Sequence, residues 1–245
     1  GPPPKRGTCD LGVRVPISPH SGFRHLARGV KGIVPVGPAM NVDIIIPTLD
    51  PDSDLLAQCL ANIGDGATVH VEHDKDRTGF AATCNRGAAA TTGDLIVFLN
   101  DDTVPQPGWL TPIIEAARDD RITGSLLYYP DGTVQHSGVF LRRRGKILEA
   151  YNRRTPAPSA DVPAVTGACL AITRSRWVLL GGFDEAYTNG YEDVDLCLRH
   201  REAGGHVWYS AESVVVHLES KSPGRFAHAQ QNVALLQQRW GHLPI

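Results

Sequence analysis

Between residues 42 and 100 three short apolar runs alternate with two helix-like stretches, and this alternation limits the possible folds more than any other feature of the chain. "NVDIIIPTLD" contains an almost continuous apolar run, Val42 to Ile46, ended by Pro47, as expected of a strand buried on both faces. "DSDLLAQCLANIG" reads as a helix, with Asp52 or Ser53 to cap its start and Gly64 to end it. "TVHVE" is a second strand. "TGFAATCNRGAAATTG" is an Ala-rich helix closed by Gly93, whose small residues permit close approach to a sheet, and "DLIVFLN" is a third strand. Strand, helix, strand, helix, strand is the signature of a parallel α/β sheet with crossover helices. Ligands of such sheets collect at the carboxyl ends of strands. The polar clusters Pro47-Thr48-Leu49-Asp50, Glu72-His73-Asp74 and Asn100-Asp101-Asp102 should therefore meet along one edge.

Past residue 120 the pattern loosens. "TGSLLYYPDGTVQHSGVFL" predicts a hairpin around Pro130-Asp131-Gly132, and "LRRRGKI" a second turn. "VPAVTGACLAIT" reads as a strand, "RSRWVLLGG" as a short helix and "EDVDLCLRHREAGG" as a longer helix stopped by two glycines. "HVWYS" and "SVVVHL" read as two strands, and "FAHAQQNVALLQQRWG" as a final amphipathic helix. This half should extend the same sheet as a mixed one and cover its substrate side. Residues 1–41, rich in Pro and Gly, read as an irregular arm and not as a domain.

Composition excludes several classes. A formal charge of −2 provides no global basic field for nucleic acid or an anionic membrane. No stretch approaches the roughly 20 apolar residues of a membrane span, and no apolar signal core opens the chain. Cysteines at 9, 59, 84, 169 and 197 are odd in number and scattered, which argues against a disulfide framework or zinc cluster and for a reducing compartment. These features predict a cytoplasmic protein.

Two acids at the end of an apolar strand, Asp101 and Asp102, can hold a hard divalent cation through oxygen, and such a cation shares its remaining positions with water and phosphate. A solvated Asp turn ahead of Pro105 accounts for the same residues by local preference alone. His217, ending "SVVVH", fits either a core histidine or a ligand from another strand end. Glu192 and Asp193 stand where a loop becomes a helix, which suits helix capping as well as chemistry.

Three ordered stretches, "VDIIIPTLD", "TGFAATCNRGAAATTGDLIVFLNDDTVPQPGWL" and "VTGACLAITRSRWVLLGGFDEAYTNGYEDVDLCLRHREAGGHVWYSAESVVVH", resemble an inverting glycosyltransferase of the GT-A fold, family 2 type, near the rhamnosyltransferase-like branch. The resemblance covers roughly residues 42 to 220. It implies an α/β fold with a mixed, mostly parallel Rossmann-like central sheet flanked by helices, with a nucleotide-binding half over about 42–120 and an acceptor-binding half over about 121–245. By the same resemblance Pro47, Thr48 and Asp50 line the nucleotide pocket, and Glu72 stands where relatives have a base-contacting Asp. Asn100-Asp101-Asp102 takes the place of the D-x-D motif, with Asp102 on Mn²⁺ or Mg²⁺, Asp101 toward ribose or donor sugar, and His217 completing the metal site. Arg86 fits an Asn-Arg-Gly variant, although many relatives carry an Arg where this chain has Cys84. Gly167 lies where relatives contact donor sugar or acceptor.

Glu192-Asp193 matches the acceptor-side acidic motif, with Asp193 the general base and Glu192 an orienting partner, or the reverse. Placed at a helix start, Asp193 should stay ionised. The implied donor is a UDP-, GDP- or dTDP-sugar, and the acceptor a glycan, a lipid-linked glycan or a protein. Asp195 reads as structural; Trp177, Trp208 and Trp240 read as core, and Trp109 as a possible acceptor contact. "SKSPGRF" reads as a Pro-Gly loop or as a lid carrying Lys221 or Arg225 to the diphosphate. Arg142-Arg143-Arg144 reads as a solvated turn or an aid to an anionic acceptor.

Three other functions remain open at this point. A retaining transferase would share the sheet and metal site. A nucleotidyltransferase should carry a Gly-rich basic loop after its first strand, where "PTLDPDSD" is acidic. A nucleotide-sugar-binding module would not need both the metal set and Asp193.

Overall fold

The computed structural model describes residues 40–219 and 227–244, so the arm, but for its last two residues, and the loop bearing Lys221 and Arg225 lie outside the described residues. The chain runs β1 (Val42–Thr48), α1 (Asp54–Asn62), β2 (Thr68–His73), α2 (Phe80–Ala89), β3 (Leu95–Leu99), β4 (Thr103–Pro105), α3 (Leu110–Ala117) and β5 (Ile122–Tyr128). It continues through β6 (Val134–His136), β7 (Val139–Arg144), β8 (Ile147–Asn152), β9 (Ala160–Asp161), β10 (Cys169–Thr173), α4 (Arg174–Leu180), α5 (Glu192–Glu202), β11 (Val207–His217) and α6 (Ala229–Trp240).

The main sheet has the order β2-β1-β3-β10-β5-β11-β4. β1 pairs in parallel with both β2 and β3, and β5 pairs in parallel with β11. β10 runs antiparallel to both β3 and β5, and β4 antiparallel to β11, so a mostly parallel sheet is made mixed by two reversed strands. β1 extends through Pro47 to Thr48. Pairing with β3 stops at Ile45, and Thr48 turns its carbonyl to Asp74 on the β2 side, so the missing N–H of Pro47 faces no ladder.

Alternate residues of β1 supply opposite faces: Ile45 joins one core with Phe98, Trp177 and Phe183, while Ile44 and Ile46 join a second with Leu56, Ile113 and Trp109. The close approach expected of the Ala-rich helix occurs at Gly87, where a Cβ would stand 2.5 Å from Ile45 Cγ2. Ser53 caps α1 by accepting from Leu56 N at 3.2 Å.

Two expectations change. "HVWYS" and "SVVVHL" form one strand, β11, whose ladder to β5 is interrupted by an irregularity between Ser210 and Val214. There Ser213 is buried, with its hydroxyl 2.7 Å from that of Ser125, so a polar stretch that reads as a break stays within the sheet. Of "VPAVTGACLAIT" only Cys169–Thr173 is strand; Val162, Ala164 and Val165 are buried core without belonging to a strand. Both hairpins form as expected, β5 with β6 and β7 with β8. The four described cysteines are free and buried, and among the described residues no helix is long and apolar enough to cross a membrane.

Candidate active site

The carboxyl ends of β1 and β3, the loop after β2, and the start of α5 surround a cleft of about 530 Å³. That volume lies within the range of small-molecule sites. Pro47, Thr48, Asp50, Asn100, Asp101, Asp102, Gly167, Glu192, Asp193 and His217 all line it. Ten of the residues singled out in the sequence thus converge.

At the sheet centre the turn Asn100–Thr103 is closed by Thr103 Oγ1 donating to the Asn100 carbonyl at 2.6 Å. Thr48 Oγ1 donates to Asp101 Oδ2 at 2.6 Å, which ties that carboxylate to β1. Burial pushes the Asp101 carboxyl above its ordinary value and the neighbouring Asp102 adds to this, against the lowering effect of the Thr48 hydroxyl. Asp102 is fixed by register: β4 pairs with β11 so that Thr103 faces His217, and Leu218 N donates to the Asp102 carbonyl at 2.9 Å. The two buried side chains meet with His217 Nε2 3.1 Å from Asp102 Oδ1.

A divalent cation fits this corner. One carboxylate, one imidazole and the buried Asn100 Oδ1, which has no partner among the described residues, are oxygen and nitrogen donors of the kind Mn²⁺ accepts. No group of three or more His, Cys, Asp or Glu side chains among the described residues is arranged around a metal. Water and a phosphate-bearing ligand would therefore supply most of the coordination, as Mg²⁺ and Mn²⁺ sites commonly allow.

Across the cleft Asn189, Gly190 and Tyr191 all take positive φ before α5 begins. This turns the first helical residues toward the cavity. Asp193 Oδ2 accepts from Gly167 N at 2.8 Å, and Oδ1 accepts from Val194 N at 2.8 Å. A Cβ on Gly167 would stand 3.2 Å from the Phe80 ring and 3.4 Å from Asp193 Cβ, so glycine leaves the room that this carboxylate occupies. Burial pushes the Asp193 carboxyl above the ordinary value, and the two N–H donors only partly offset it. The helix-start N–H groups expected to keep Asp193 ionised do reach its carboxylate, and burial acts against them. Glu192, which is buried where Asp193 is half-buried, accepts from Gly190 N at 2.6 Å.

Two predicted residues do not line the cleft. Glu72 and Arg86 pair with each other, Arg86 Nε to Glu72 Oε1 at 3.1 Å, and Arg86 also donates to Thr78 and Thr83. Neither lines the cleft, because Arg86 on α2 holds the Glu72 carboxylate against that helix. Asp74, two residues after Glu72, faces the cleft instead and accepts from Thr78 N, Thr78 Oγ1 and Gly79 N at 2.8 to 2.9 Å. Burial would raise its carboxyl, but these hydrogen bonds prevail and hold it below the ordinary value. The loop so pinned carries Arg77, in left-handed conformation, into the cleft lining. The sequence reading missed Arg77; its place in the polar loop directly after a predicted strand was the available signal.

Trp109 is also corrected. It is buried in the second core with Nε1 donating to the Ile63 carbonyl at 3.0 Å, because the turn after Asp102 carries the chain to the other face of the sheet. Trp177 and Trp240 are buried core, and Trp208 lies under the Arg121 guanidinium. Arg142 and Arg144 pair with Glu149, and Arg143 donates to the Gly241 and Leu243 carbonyls, so this run braces the hairpin against the end of α6.

Comparison with known proteins agrees with this architecture. The chain is 28% identical over 224 residues to the pre-mycofactocin glycosyltransferase of Mycobacterium tuberculosis, covering 88% of this chain and 44% of that protein. It is 29% identical over 180 residues to the N-acetylglucosaminyl-diphospho-decaprenol L-rhamnosyltransferase of the same organism, covering 62% of this chain and 59% of that protein. The chain therefore spans under two thirds of the length of either relative. Among solved structures, GalNAc-T7 crystallised with UDP, GalNAc and Mn²⁺ superposes with a TM-score of 0.60 at 15% identity, over 82% of this chain and 48% of that one, and shares the GT-A fold. Residues 43–174 match the model of Glycosyl transferase family 2, and with the fold and the cleft in agreement, the chain belongs to that family.

Proposed function

We propose that this domain transfers a sugar from a nucleoside-diphosphate sugar to an acceptor hydroxyl with inversion at the anomeric carbon, using Asp193 as general base and a divalent cation held by Asp102 and His217. The observation that carries the reading is that these three side chains line one cleft, with two buried partners on one wall and a carboxylate on the other. Two relatives are named as glycosyltransferases, which supports the reaction class.

A bound Mn²⁺ or Mg²⁺ would supply positive charge to the departing diphosphate, the role that a protonating acid fills in a hydrolase. Arg77 adds a permanent cation to the lining on the nucleotide side. Thr48 holds Asp101 toward the ribose or donor sugar. Asp193, fixed by two backbone N–H groups, takes the acceptor proton as the hydroxyl attacks, and the sugar passes through an oxocarbenium-like state. Its raised proton affinity suits this role, since a carboxylate that is harder to ionise is a stronger base.

The test is a screen of UDP-, GDP- and dTDP-sugars with Mn²⁺ or Mg²⁺, reading nucleoside diphosphate release and the anomeric configuration of the product by NMR. Inverted product that forms only with metal supports the reading; retained configuration overturns its stereochemistry.

The pH dependence has a defined sign. The base form of Asp193 is lost as pH falls through a value raised above 3.8, so kcat/KM at saturating metal should fall on the acid side earlier than for an ordinary Asp. Stability moves the opposite way. Between the ordinary and the raised value the folded chain keeps a proton that the unfolded chain has lost, so this group weakens the fold as pH rises through that window. A rate that stays flat down to pH near 3.8 would show that Asp193 is not the base.

A further inference from the structure

Gln135 lies outside the cleft lining and has no role in the chemistry above. It sits in β6, on the return arm of the hairpin turned by Pro130-Asp131-Gly132, and is 5% exposed. The turn is closely specified: Asp131 Oδ1 accepts from both Thr133 N and Thr133 Oγ1, and Tyr129 N donates to the Thr133 carbonyl at 2.8 Å.

The ladder between β5 and β6 is irregular at this residue. Leu127 pairs with His136 and Tyr128 with Val134, so Gln135 is the extra residue of a bulge, without a counterpart on β5. Bulges beside active sites re-aim side chains. Here the Gln135 side chain reaches His217, with Oε1 2.7 Å from Nδ1. Its Nε2 is buried and has no partner among the described residues.

A carbonyl oxygen can only accept, so this contact places the imidazole proton on Nδ1. In the neutral ring Nε2 then carries a lone pair, and it lies 3.1 Å from the carboxylate oxygen of Asp102. Two acceptors at that distance repel each other unless a cation or a second ring proton joins them; the neutral donor nearby, Asn100 Nδ2, stands 3.5 Å from Nε2. Metal-bound histidines commonly hold the other ring N–H against an oxygen in this way, which fixes tautomer and ring orientation.

We infer that Gln135 is a positioning residue that holds His217 in the Nδ1–H form and turns its Nε2 lone pair onto the cation shared with Asp102. The inference rests on the metal reading proposed above. It gives the bulged hairpin a function: the turn sequence sets the register, the bulge turns Gln135 toward β11, and the amide orients the ligand.

Binding of Mn²⁺ in the presence of UDP or GDP, followed by loss of the free-ion EPR signal, tests it apart from turnover. Gln135→Met, which keeps the length and removes the acceptor, should weaken Mn²⁺ binding by roughly 10- to 100-fold. Gln135→Glu, which can only accept from Nδ1–H, should stay near the unsubstituted protein. Long-range ¹H–¹⁵N NMR of the metal-free chain, with the resonance assigned by its loss in His217→Ala, should find His217 protonated at Nδ1. That spectrum decides the matter by itself should the Met variant fail to fold. A proton on Nε2, unchanged binding by a folded Met variant, or loss of binding in the Glu variant overturns the inference. If His217→Ala loses Mn²⁺ while Gln135→Met does not, only this inference fails. An unsubstituted chain that binds no Mn²⁺ with either nucleotide removes the metal reading and the inference with it.

Discussion

Asp193→Asn is expected to lower glycosyl transfer by roughly 10²- to 10⁴-fold, the usual contribution of a positioned general base, while leaving nucleotide binding with Mn²⁺ in place. The corresponding change in barrier is about 3 to 5 kcal/mol. An acceptor hydroxyl is a poor nucleophile until its proton begins to move, and Asn cannot take that proton. The substitution is nearly isosteric, yet only the amide oxygen can still accept from Gly167 N or Val194 N, both of which Asp193 now satisfies. Thermal melting must therefore accompany the kinetics. Glu192→Gln should cost less, because Glu192 is turned back onto Gly190 N within its own loop. Turnover of Asp193→Asn within tenfold of the unsubstituted protein, alongside a collapse in Glu192→Gln, would reverse the two assignments.

The largest stability effect should come from Asp195, which touches no part of the cleft. It is fully buried on α5 and receives Arg199 Nε at 2.7 Å, Arg239 Nη1 at 3.2 Å and Trp240 Nε1 at 2.9 Å. Two of these partners lie on α6, so one carboxylate fastens the last helix to the helix that bears Asp193. Removing one member of a buried ion pair leaves the others desolvated and costs about 3 to 5 kcal/mol. Asp195→Ala should fall near the lower figure. Arg239 keeps its ion pair with Asp184, and Arg199 keeps the Leu180 and Gly182 carbonyls. For a domain of this size about 3 kcal/mol corresponds to a drop of roughly 6 to 12 °C in Tm. Calorimetry with a loss under about 1 kcal/mol would show that solvent already shares the network.

The sequence revealed β1 and β3 as apolar runs, β2 as a short β-branched stretch, and α1 and α2 by their flanking Ser53, Gly64 and Gly93. It did not reveal β4, three residues long, or α3, which has no side-chain cap and no glycine stop. It revealed the convergence of Thr48, Asp101 and Asp102 because the carboxyl ends of parallel strands must share one edge. Residues whose roles depend on side-chain direction were harder to read. Glu72 and Asp74 both fit an acid at the end of β2 and share one strand parity, so alternation does not tell them apart. What separates them is the turn after His73, which folds Asp74 onto Thr78 and Gly79 in the cleft lining while Glu72 stays on Arg86. Trp109 follows the Asp motif in sequence but joins the opposite face of the sheet. The apolar stretch 162–168 reported burial correctly and strand wrongly, since hydrophobicity records removal from water and not ladder pairing. Gln135 left no sequence signal, because a bulge is defined by two strands together.

β10 also constrains how such a chain can be divided. This reversed strand, drawn from the chain after residue 120, lies between β3 and β5, while β4, drawn from the chain before it, closes the far end of the sheet against β11. A fragment cut near residue 120 would leave β3 with bare amides along one edge and β4 without its neighbour. A chimera with a relative therefore cannot be made by swapping contiguous halves at residue 120; recombination has to proceed loop by loop on an intact sheet.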